Sequence, residues 1–264
     1  MLSNATVLVT GATGGIGEAI ARALRARGAR LILTGRRREA LERIAGDLAA
    51  TPIVADLADR ADVARLGREA VAAGADVYVA NAALPATGIL LDLSGEDVDR
   101  MLEVNLRAPI ALAQAIGPSL VARGRGHMVF MSSLSGKVAN PGSSMYSATK
   151  FGLRGFAFGL REDLRPHGVG VSVVAPGFIR DAGMFAKTGL RLPPGVGTRT
   201  PEQVAAAVVT AIERNRAEVD VAPASLRLGA AFASVAPGTA AWGARVMGSH
   251  RIAGEMAKRQ RDER

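Results

Sequence analysis

A tyrosine and a lysine stand four residues apart in the segment MYSATK, at Tyr146 and Lys150. On an α-helix, side chains at this spacing lie on one face, one turn apart. A phenol ordinarily keeps its proton up to about pH 10, which is too high for acid–base chemistry near neutrality. A lysine ammonium nearby stabilises the phenolate and so predicts a phenol that exchanges protons at lower pH. An isolated pair of this kind is also typical of an ordinary helix surface, so its surroundings decide between the two interpretations.

A serine lies thirteen residues before that tyrosine, in the segment MVFMSSLSG. We expect Ser133 to end a buried strand, and the loops beyond the carboxyl ends of strands are where open α/β sheets bind their ligands. Its neighbour Ser132 is assigned to backbone hydrogen bonding, with the reverse assignment of the two serines as the alternative. A hydroxyl, a phenol and an amine are therefore expected at one edge of a sheet.

Seven short runs rich in Val, Ile and Leu alternate with segments of helical spacing along the chain. Their continuous apolar character is typical of strands buried on both faces of a parallel sheet. Strands that alternate with helices predict βαβ units with right-handed crossovers. We therefore predict an α/β fold, with a single doubly wound, Rossmann-like domain over residues 1–225 and helices on both faces of a seven-stranded parallel sheet. The predicted strands are Thr6–Thr10, Arg30–Thr34, Ile53–Leu57, Val77–Ala80, His127–Met131, Val169–Ala175 and Val219–Ala222.

The first predicted strand ends in TGATGGIG and runs directly into a helix. Glycine allows a tight turn, and a phosphate can approach the backbone closely only where no Cβ intrudes. The N-terminus of the following helix offers free N–H groups and a favourable dipole to an anion. A glycine-rich turn alone is a weak signal, but its position between a first strand and an amphipathic helix indicates a pyrophosphate site. The residues expected to hold the pyrophosphate are Gly11, Thr13, Gly14, Gly15, Ile16 and Gly17.

A basic cluster follows the second predicted strand. Sites for NAD usually place an acidic residue about 20 positions beyond the glycines, where it binds the ribose 2′-hydroxyl. Here Gly35 occupies that place, and Arg36, Arg37 and Arg38 follow it. A guanidinium can bind a 2′-phosphate with two hydrogen bonds, so Arg36 predicts recognition of that phosphate, with Arg37 as a second clamp. Arg38 is interpreted as a solvated charge of the next helix.

These segments together resemble the short-chain dehydrogenase/reductase family, whose nucleotide turn has the spacing TGxxxGxG. The resemblance extends from residue 7 to about residue 223. It implies a Rossmann-fold oxidoreductase that moves hydride between C4 of a nicotinamide and a carbonyl or alcohol carbon. The motifs that occur in the family's order and spacing are the glycine turn, Asn81-Ala82-Ala83, Asn105, Ser133, Tyr146 with Lys150, and Pro176-Gly177.

The resemblance also implies a role for each catalytic residue. Ser133 would polarise the substrate oxygen, and Tyr146 would donate or accept its proton. Lys150 would hold the ribose hydroxyls and lower the tyrosine pKa, and an oxidised nicotinamide would add to that effect. Asn105, through its carbonyl or its side chain, would hold a water that links the lysine to solvent. An asparagine at such a position can also simply stabilise a helix bend.

Further cofactor contacts rest on the resemblance. The family usually has a threonine where this chain has Asp181, which could instead pair with Arg180 or Lys187. A basic residue after the second strand goes with NADP(H) in the family, so NADP(H) is the expected cofactor and NAD(H) the alternative. The matching residues are Asp56 and Leu57 at the adenine, Asn81 and Ala82 in the Asn-Ala-Gly stretch, Pro176 and Gly177 beside the nicotinamide, and Ile179 at its carboxamide. Tyr146 and Lys150 are also expected to contact the cofactor.

Two segments lie outside the catalytic motifs. Residues 181–200 are rich in Gly and Pro and predict a mobile substrate lid. The lid is apolar through Met184, Phe185, Leu190 and Leu192, which favours a lipophilic ketone or secondary alcohol as substrate. Residues 226–264 form a C-terminal helical extension with a basic tail, where residues 226–246 are expected to pack and residues 258–264 to fray. A membrane-surface helix is the less favoured interpretation.

Composition limits the remaining classes of function. The 264 residues include no cysteine and three scattered histidines, so no metal site is expected. The net charge of +9 favours anionic partners, but two tyrosines and one tryptophan offer few stacking platforms, so nucleic-acid binding is not expected. Without a secretion signal, the chain is expected to be cytoplasmic, and the resemblance implies a homodimer or homotetramer. The alternative function is a non-catalytic nucleotide-sensing or scaffold protein of the same fold.

Overall fold

The computed structural model describes residues 2–85, 88–139, 141–189 and 196–240. Seven parallel strands form one sheet in the order β3-β2-β1-β4-β5-β6-β7. The order reverses between β1 and β4, and such switch points are where open α/β sheets bind ligands. The predicted fold class is therefore confirmed. The strands are β1 Thr6–Thr10, β2 Arg30–Gly35, β3 Thr51–Val54, β4 Val77–Ala80, β5 Gly126–Met131, β6 Val169–Pro176 and β7 Glu218–Val221.

Helices connect the strands and cover both faces of the sheet. Short 3-10 turns lie at Leu90–Asp92, Leu134–Gly136 and Arg165–His167, and a π-helical segment lies at Glu103–Arg107. The α-helices of the described residues are α1 Gly15–Arg25, α2 Arg38–Leu48, α3 Arg60–Ala72, α4 Gly95–Leu102, α5 Ala108–Arg123, α6 Ser144–Leu164, α7 Gly183–Thr188, α8 Pro201–Glu213 and α9 Ala224–Val235.

Both faces of the central strands are buried. Val7 and Val9 of β1 pack in the cluster that includes side chains of α1, α2 and α8, whereas Leu8, between them, packs in the cluster with α3, α5 and α6. Successive side chains of a strand point to opposite faces, so a sheet covered on both sides requires apolar residues at every position. This is why the strands read as continuous apolar runs. Full burial of each Leu or Val stabilises the fold by about 1.5–3 kcal/mol.

The third strand lies two to three residues earlier than the sequence predicts. It spans Thr51–Val54 rather than Ile53–Leu57. The chain leaves the sheet because Asp56 forms a turn: its carboxylate accepts a hydrogen bond from the Ala58 N–H at 3.0 Å, and its own N–H donates to Asp62 at 2.9 Å. An Asp side chain that binds the backbone two residues on is typical of a turn. The apolar character of Leu57 therefore reflects burial in the loop and not in the strand.

Helix α9, the last of the described helices, packs against the rest of the domain through small side chains. Ala230 and Ala233 are buried, whereas Leu228, Phe232 and Val235 are 71%, 53% and 86% exposed. The predicted packing of residues 226–246 thus applies to one side of α9. No helix in the described ranges has the length and apolar character needed to cross a membrane. The predicted packing of residues 241–246 and the predicted fraying of residues 258–264 concern positions outside the described residues.

Candidate active site

Tyr146 and Lys150 lie on the first turns of α6, next to the end of β5. The Tyr146 side chain is half-buried, and Lys150 is buried with 2% of its surface exposed. The Lys150 ammonium lies 5.7 Å from the centre of the Tyr146 ring and donates a hydrogen bond of 2.8 Å to the Met131 carbonyl. The helical spacing thus brings the cation beside the phenol ring, and the last residue of β5 holds it there.

The two serines after β5 have different partners. Ser132 is buried, and its hydroxyl donates to the Lys150 carbonyl at 3.0 Å. The Ser133 hydroxyl donates to the Pro176 carbonyl at 3.4 Å, accepts from the Ser135 N–H at 3.1 Å, and lies close enough to the Tyr146 phenol to lower its pKa. The sequence assignment, with Ser132 on the backbone and Ser133 beside the tyrosine, agrees with this geometry.

Burial changes the acid–base properties of Tyr146 and Lys150. Burial raises the pKa of Tyr146, and the hydrogen bond with Ser133 opposes that shift without reversing it. Burial also lowers the pKa of Lys150 to about 8, because desolvation disfavours the ammonium. Without a cofactor, burial therefore leaves the phenol harder to ionise than in water. The fall in its pKa that is expected from Lys150 together with an oxidised nicotinamide stays a prediction.

Asn105 lies in the π-helical segment between α4 and α5. Its side-chain oxygen accepts from the Leu84 N–H at 2.7 Å, and its side-chain nitrogen donates to the Leu84 carbonyl at 3.0 Å. Both ends of the amide therefore fix the loop after β4. Each end of the amide keeps one further hydrogen-bonding position, so both groups that the sequence offers for a water, the side chain and the backbone carbonyl, stay predictions. The π-helical turn is consistent with a functional role, since such turns are frequent at functional sites.

Close contacts with the loop after β4 hold the glycine turn between β1 and α1 in place. Gly11 has a φ of +67°, and a Cβ there would lie 2.8 Å from the Ala82 Cα. A Cβ at Gly17 would overlap the Gly11 carbonyl oxygen. The Asn81 side chain donates to the carbonyls of Thr10 and Gly11 at 3.0 and 3.2 Å. Asn81 and Ala82, predicted as cofactor contacts, therefore also support the turn.

The N-terminus of α1 suits an anion. Gly14, which precedes the helix, makes no side-chain cap, and the first helical residues are Gly15, Ile16 and Gly17. Uncapped N–H groups at a helix N-terminus bind phosphate through hydrogen bonds and the helix dipole. Gly14, Gly15 and Gly17 carry no side chain that would keep a pyrophosphate from the backbone, so the residues of the turn itself fit the nucleotide predicted from the sequence.

The three arginines after β2 have different surroundings. The Arg37 guanidinium donates to the Thr13 carbonyl at 2.8 Å and so reaches the glycine turn. Arg38 pairs with Glu42 at 3.3 Å, both largely exposed, as expected of a solvated charge. Arg36 is exposed and pairs with no acidic side chain in the described part of the chain. The Arg36 guanidinium, unpaired within the described residues, therefore lies next in sequence to that of Arg37, which is hydrogen-bonded to the glycine turn.

The predicted adenine contacts lie in the loop after β3. Asp56 is half-buried and lies 3.6 Å from Arg100, in addition to its turn with Ala58, and Leu57 is buried. The loop follows the carboxyl end of β3 and so lies at the same edge of the parallel sheet as the glycine turn after β1. The adenine contact stays a prediction.

The segment after β6 borders the serine. The Gly177 N–H donates to the Val221 carbonyl at 3.1 Å, and a Cβ at Gly177 would lie 3.3 Å from Leu134. Ile179 pairs with Arg199 in an isolated parallel bridge. Pro176, whose carbonyl binds Ser133, thus stands with Gly177 beside the serine segment, and their place beside the nicotinamide stays a prediction.

Asp181 begins the predicted lid. It has a φ of +67°, and its carboxylate lies 3.3 Å from Arg180, which is the pairing that the sequence offered as one alternative. Ala182 then lies directly over the glycine turn, because a Cβ at Gly15 would be 2.6 Å from the Ala182 Cβ. The rings of Phe178 and Phe185 lie 5.0 Å apart. Leu190 and Leu192 of the predicted lid fall outside the described residues.

One group of charged residues in the structure was not predicted from the sequence. Lys137, with 8% of its side chain exposed, pairs with Glu218 at 2.8 Å and Asp220 at 2.7 Å, and Arg154 pairs with Glu218 at 2.7 Å. The alternation of EVDV in β7 places both acids on one face of the strand, and this was the signal available. We call these four residues the β7 ion cluster.

The fold and the glycine turn define a dinucleotide-binding protein of the doubly wound class. The family described as short chain dehydrogenase matches residues 5–191. The chain therefore belongs to this family, whose members are NAD(P)-dependent oxidoreductases.

Individual relatives agree with that membership. A dehydrogenase/reductase SDR family member 7B of Bos taurus is 32% identical over 255 residues, which cover 89% of this chain and 78% of that protein. A short-chain dehydrogenase from Sphingobium yanoikuyae, solved in complex with NADPH, is 28% identical with a TM-score of 0.76, over 82% of this chain and 87% of that one. A bulky-bulky ketone specific alcohol dehydrogenase from Comamonas testosteroni is 25% identical with a TM-score of 0.74, over 82% and 85% of the two chains.

Proposed function

We propose that this chain is an NADP(H)-preferring oxidoreductase that interconverts a carbonyl and an alcohol, with Tyr146 as the acid–base group. The observation that carries the proposal is the convergence of Ser133, Tyr146 and Lys150 beyond the carboxyl end of β5, at the edge of the sheet where the glycine turn also lies. A proton-transfer group and a phosphate site at one edge suit a reaction that couples proton movement to a nucleotide cofactor.

Several residues would hold the nucleotide. The N-terminus of α1 would bind the pyrophosphate, Arg36 and Arg37 the 2′-phosphate, and Lys150 a ribose. When bound, the reduced nicotinamide supplies the hydride that the carbonyl carbon accepts. The remaining contacts carried over from the family are Asp56, Leu57, Asn81 and Ala82 on the adenine side, and Pro176, Gly177 and Ile179 on the nicotinamide side.

Side chains of this protein would carry out the proton transfer. In reduction, the hydroxyls of Ser133 and Tyr146 donate hydrogen bonds to the substrate's carbonyl oxygen, and the Tyr146 proton moves to that oxygen as the carbon accepts the hydride. Lys150 stabilises the resulting phenolate. The proton returns from solvent by way of Lys150, with a water held at the Asn105 carbonyl. Oxidation of the alcohol uses the same groups in reverse.

The surroundings of the site support a lipophilic substrate. The Gly88 N–H donates to the Gly142 carbonyl at 2.8 Å, which brings the segment after β4 beside the loop between Ser133 and Tyr146. The next residues of that segment, Ile89 and Leu90, are 58% and 48% exposed. Apolar side chains exposed at a site mouth mark a place for an apolar partner. The Comamonas relative, described as specific for ketones with two bulky groups, is in keeping with this substrate class.

Two titrations and a screen test the proposal. NADPH and NADH are titrated separately at fixed salt, and NADPH is expected to bind at least about tenfold tighter, or ~1.4 kcal/mol. NADPH oxidation is then followed with lipophilic ketones and with small charged carbonyls. Binding without turnover of any carbonyl would replace this proposal with the nucleotide-sensing alternative, and turnover of charged carbonyls alone would overturn the lipophilic substrate. A cytoplasmic location and a homodimeric or homotetrameric assembly stay predictions of the sequence.

A further inference from the structure

The β7 ion cluster lies against the catalytic elements. Among the described residues, β7 lies at the edge of the sheet and pairs only with β6, in a register that sets Asp220 beside Ala175 and Val221 beside Pro176. Its two acids, Glu218 and Asp220, are 20% and 18% exposed. The cluster contains two cations and two anions, so its charges balance.

Glu218 alone contacts two different catalytic elements. One carboxylate oxygen accepts from Lys137 at 2.8 Å, and the Arg154 guanidinium donates to both oxygens, at 2.7 and 3.2 Å. Lys137 directly follows the 3-10 turn that Ser133 begins, and Arg154 lies one turn beyond Lys150 on α6. One carboxylate therefore joins the serine segment to the helix that carries the tyrosine and lysine.

The same two elements approach each other closely at a second point. A Cβ at Gly136 would lie 2.8 Å from the Lys150 carbonyl and would also overlap the Ser132 hydroxyl. This contact limits how near the serine segment can come to α6. The Ser132 hydroxyl, which donates to the Lys150 carbonyl at 3.0 Å, already joins the two elements at this point. Glu218 adds a charged link between Lys137, at the far end of the serine segment, and Arg154 of α6.

Stability alone is a weak reason for such a cluster. Partly buried ion pairs often contribute little net stability, because desolvation offsets the attraction. Burial raises the pKa of Glu218, but hydrogen bonds from Arg154 and Lys137 more than offset this and leave the pKa below its usual value. The carboxylate is thus charged and doubly bound at neutral pH, as a fixed link requires.

We propose that Glu218 is a positioning residue that holds the serine segment against α6 by binding Lys137 and Arg154 together, and so sets how Ser133 approaches the Tyr146 phenol. The significance for catalysis rests on the function proposed above. Since the Ser133 contact lowers the pKa of Tyr146, loss of the link raises that pKa. Tyr146 would then be a weaker acid and a less well oriented one.

The chain offers a direct readout of this effect. It contains two tyrosines, and Tyr78 is fully buried, which raises its pKa far above the usual value. Phenolate absorbance that develops at the lower pH in a titration of the folded protein therefore reports Tyr146. The measurement needs neither cofactor nor substrate, and circular dichroism at each pH restricts it to folded protein.

The test compares Glu218→Gln with Asp220→Asn. Both remove one negative charge from the same face of β7 and from the same partner, Lys137, but Asp220 has no contact with Arg154 among the ion pairs described. Glu218→Gln is expected to raise the Tyr146 midpoint by about one pH unit, a tenfold change in its ionisation constant. Asp220→Asn is expected to leave the midpoint unchanged. Arg154→Gln removes the bond from Glu218 to α6 and keeps the bond to Lys137. It is expected to raise the Tyr146 midpoint as Glu218→Gln does, and it replaces Glu218→Gln in the test if the latter does not fold.

The proposal would be overturned if the Tyr146 midpoint were the same in the wild-type protein and all variants. It would also be overturned if Asp220→Asn and Glu218→Gln shifted that midpoint equally. With a carbonyl substrate from the screen, Glu218→Gln is also expected to lower kcat about tenfold while KM changes less than about twofold. A wild-type protein that reduces no carbonyl would refute the proposed function. The midpoints without cofactor would still test the positioning role of Glu218.

Discussion

The two halves of this site are built by different means. Around the glycine turn, geometry depends on missing side chains: Gly11 has a positive φ, and a Cβ at Gly17 would overlap the Gly11 carbonyl oxygen. Around Tyr146, geometry depends on side chains from distant parts of the chain, such as Lys137 and Glu218. The cofactor half therefore depends mainly on the glycines of one turn, which Asn81 and Ala82 support from the loop after β4, whereas the catalytic half depends on charged side chains from distant segments. Substitutions in the first should weaken nucleotide binding, and substitutions in the second should impair turnover or stability.

Tyr146→Phe is expected to have the largest effect. It removes the proton-transfer group and keeps the ring, so kcat for carbonyl reduction should fall by about 10²- to 10⁴-fold. The dissociation constant for NADPH should change less than about twofold, because the phenol is not among the groups assigned to the phosphates. Steady-state kinetics and a fluorescence titration check the two values. A large loss of NADPH affinity would mean that the two halves are not separable in this way.

Protonation of His127, near the start of β5, should destabilise the folded protein. His127 of β5 is fully buried, its Nε2 lies 2.8 Å from the Ser172 hydroxyl of β6, and burial, with the charge of Arg161, lowers its pKa to about 4. Between pH 6.5 and 4 the unfolded chain binds more protons than the folded one, so stability falls as the pH falls through this window. The expected loss is roughly 3 kcal/mol.

Urea unfolding at several pH values measures that loss. The variant His127→Gln has no group that titrates in this window at that position and should lose most of the pH dependence between pH 6.5 and 4. Paired carboxylates such as Glu218, whose pKa is lowered, change the stability mainly at pH values below this window. An unchanged slope in the variant would show that other groups cause the acid sensitivity.

Gly17→Ala should weaken the cofactor half, because the new Cβ overlaps the Gly11 carbonyl oxygen and displaces the turn. We expect NADPH affinity to fall by about 2 kcal/mol, close to thirtyfold. Gly46→Ala in α2 is the matched control, since a Cβ there meets nothing within 4 Å. That control should keep NADPH affinity and raise stability by about 0.5–1 kcal/mol. Equal NADPH affinity in both variants would contradict the role of the turn.

Arg36→Ala should have the smallest effect and the most selective one. Loss of a guanidinium on the 2′-phosphate should weaken NADPH about tenfold and leave NADH unchanged. Arg38→Ala removes an equal charge two residues away, from a side chain that pairs with Glu42, and should leave both affinities unchanged. The four dissociation constants are compared at one salt concentration. A parallel loss for NADPH and NADH would assign Arg36 to general charge and not to the 2′-phosphate.

The sequence predicts the local features of this molecule well. Strand β1 and the turn that follows it are visible because their constraints, apolar residues on both faces and glycine in the turn, belong to consecutive residues. The pairing of Tyr146 with Lys150 is visible for the same reason, since helical spacing is a local property. The end of β3 was wrong by three residues because the apolar run IVADL does not show that Asp56 starts a turn.

The long-range features could not be predicted in the same way. Lys137 and Glu218 are 81 residues apart, and nothing in either segment indicates that they meet. The pKa of Tyr146 was expected to fall because a cation lies one turn away, but the phenol also loses solvent when α6 packs against β5. Desolvation depends on the whole fold, so spacing along a helix does not reveal it.

Titration of the Tyr146 phenolate in the wild-type protein, with and without NADP⁺, tests most directly whether the cofactor half activates the catalytic half. Without nucleotide, burial should keep the midpoint above the usual value near pH 10. Saturating NADP⁺ should lower it by at least about one pH unit, because the oxidised nicotinamide brings a positive charge to the phenol. A midpoint that is the same with and without bound NADP⁺ would contradict the account.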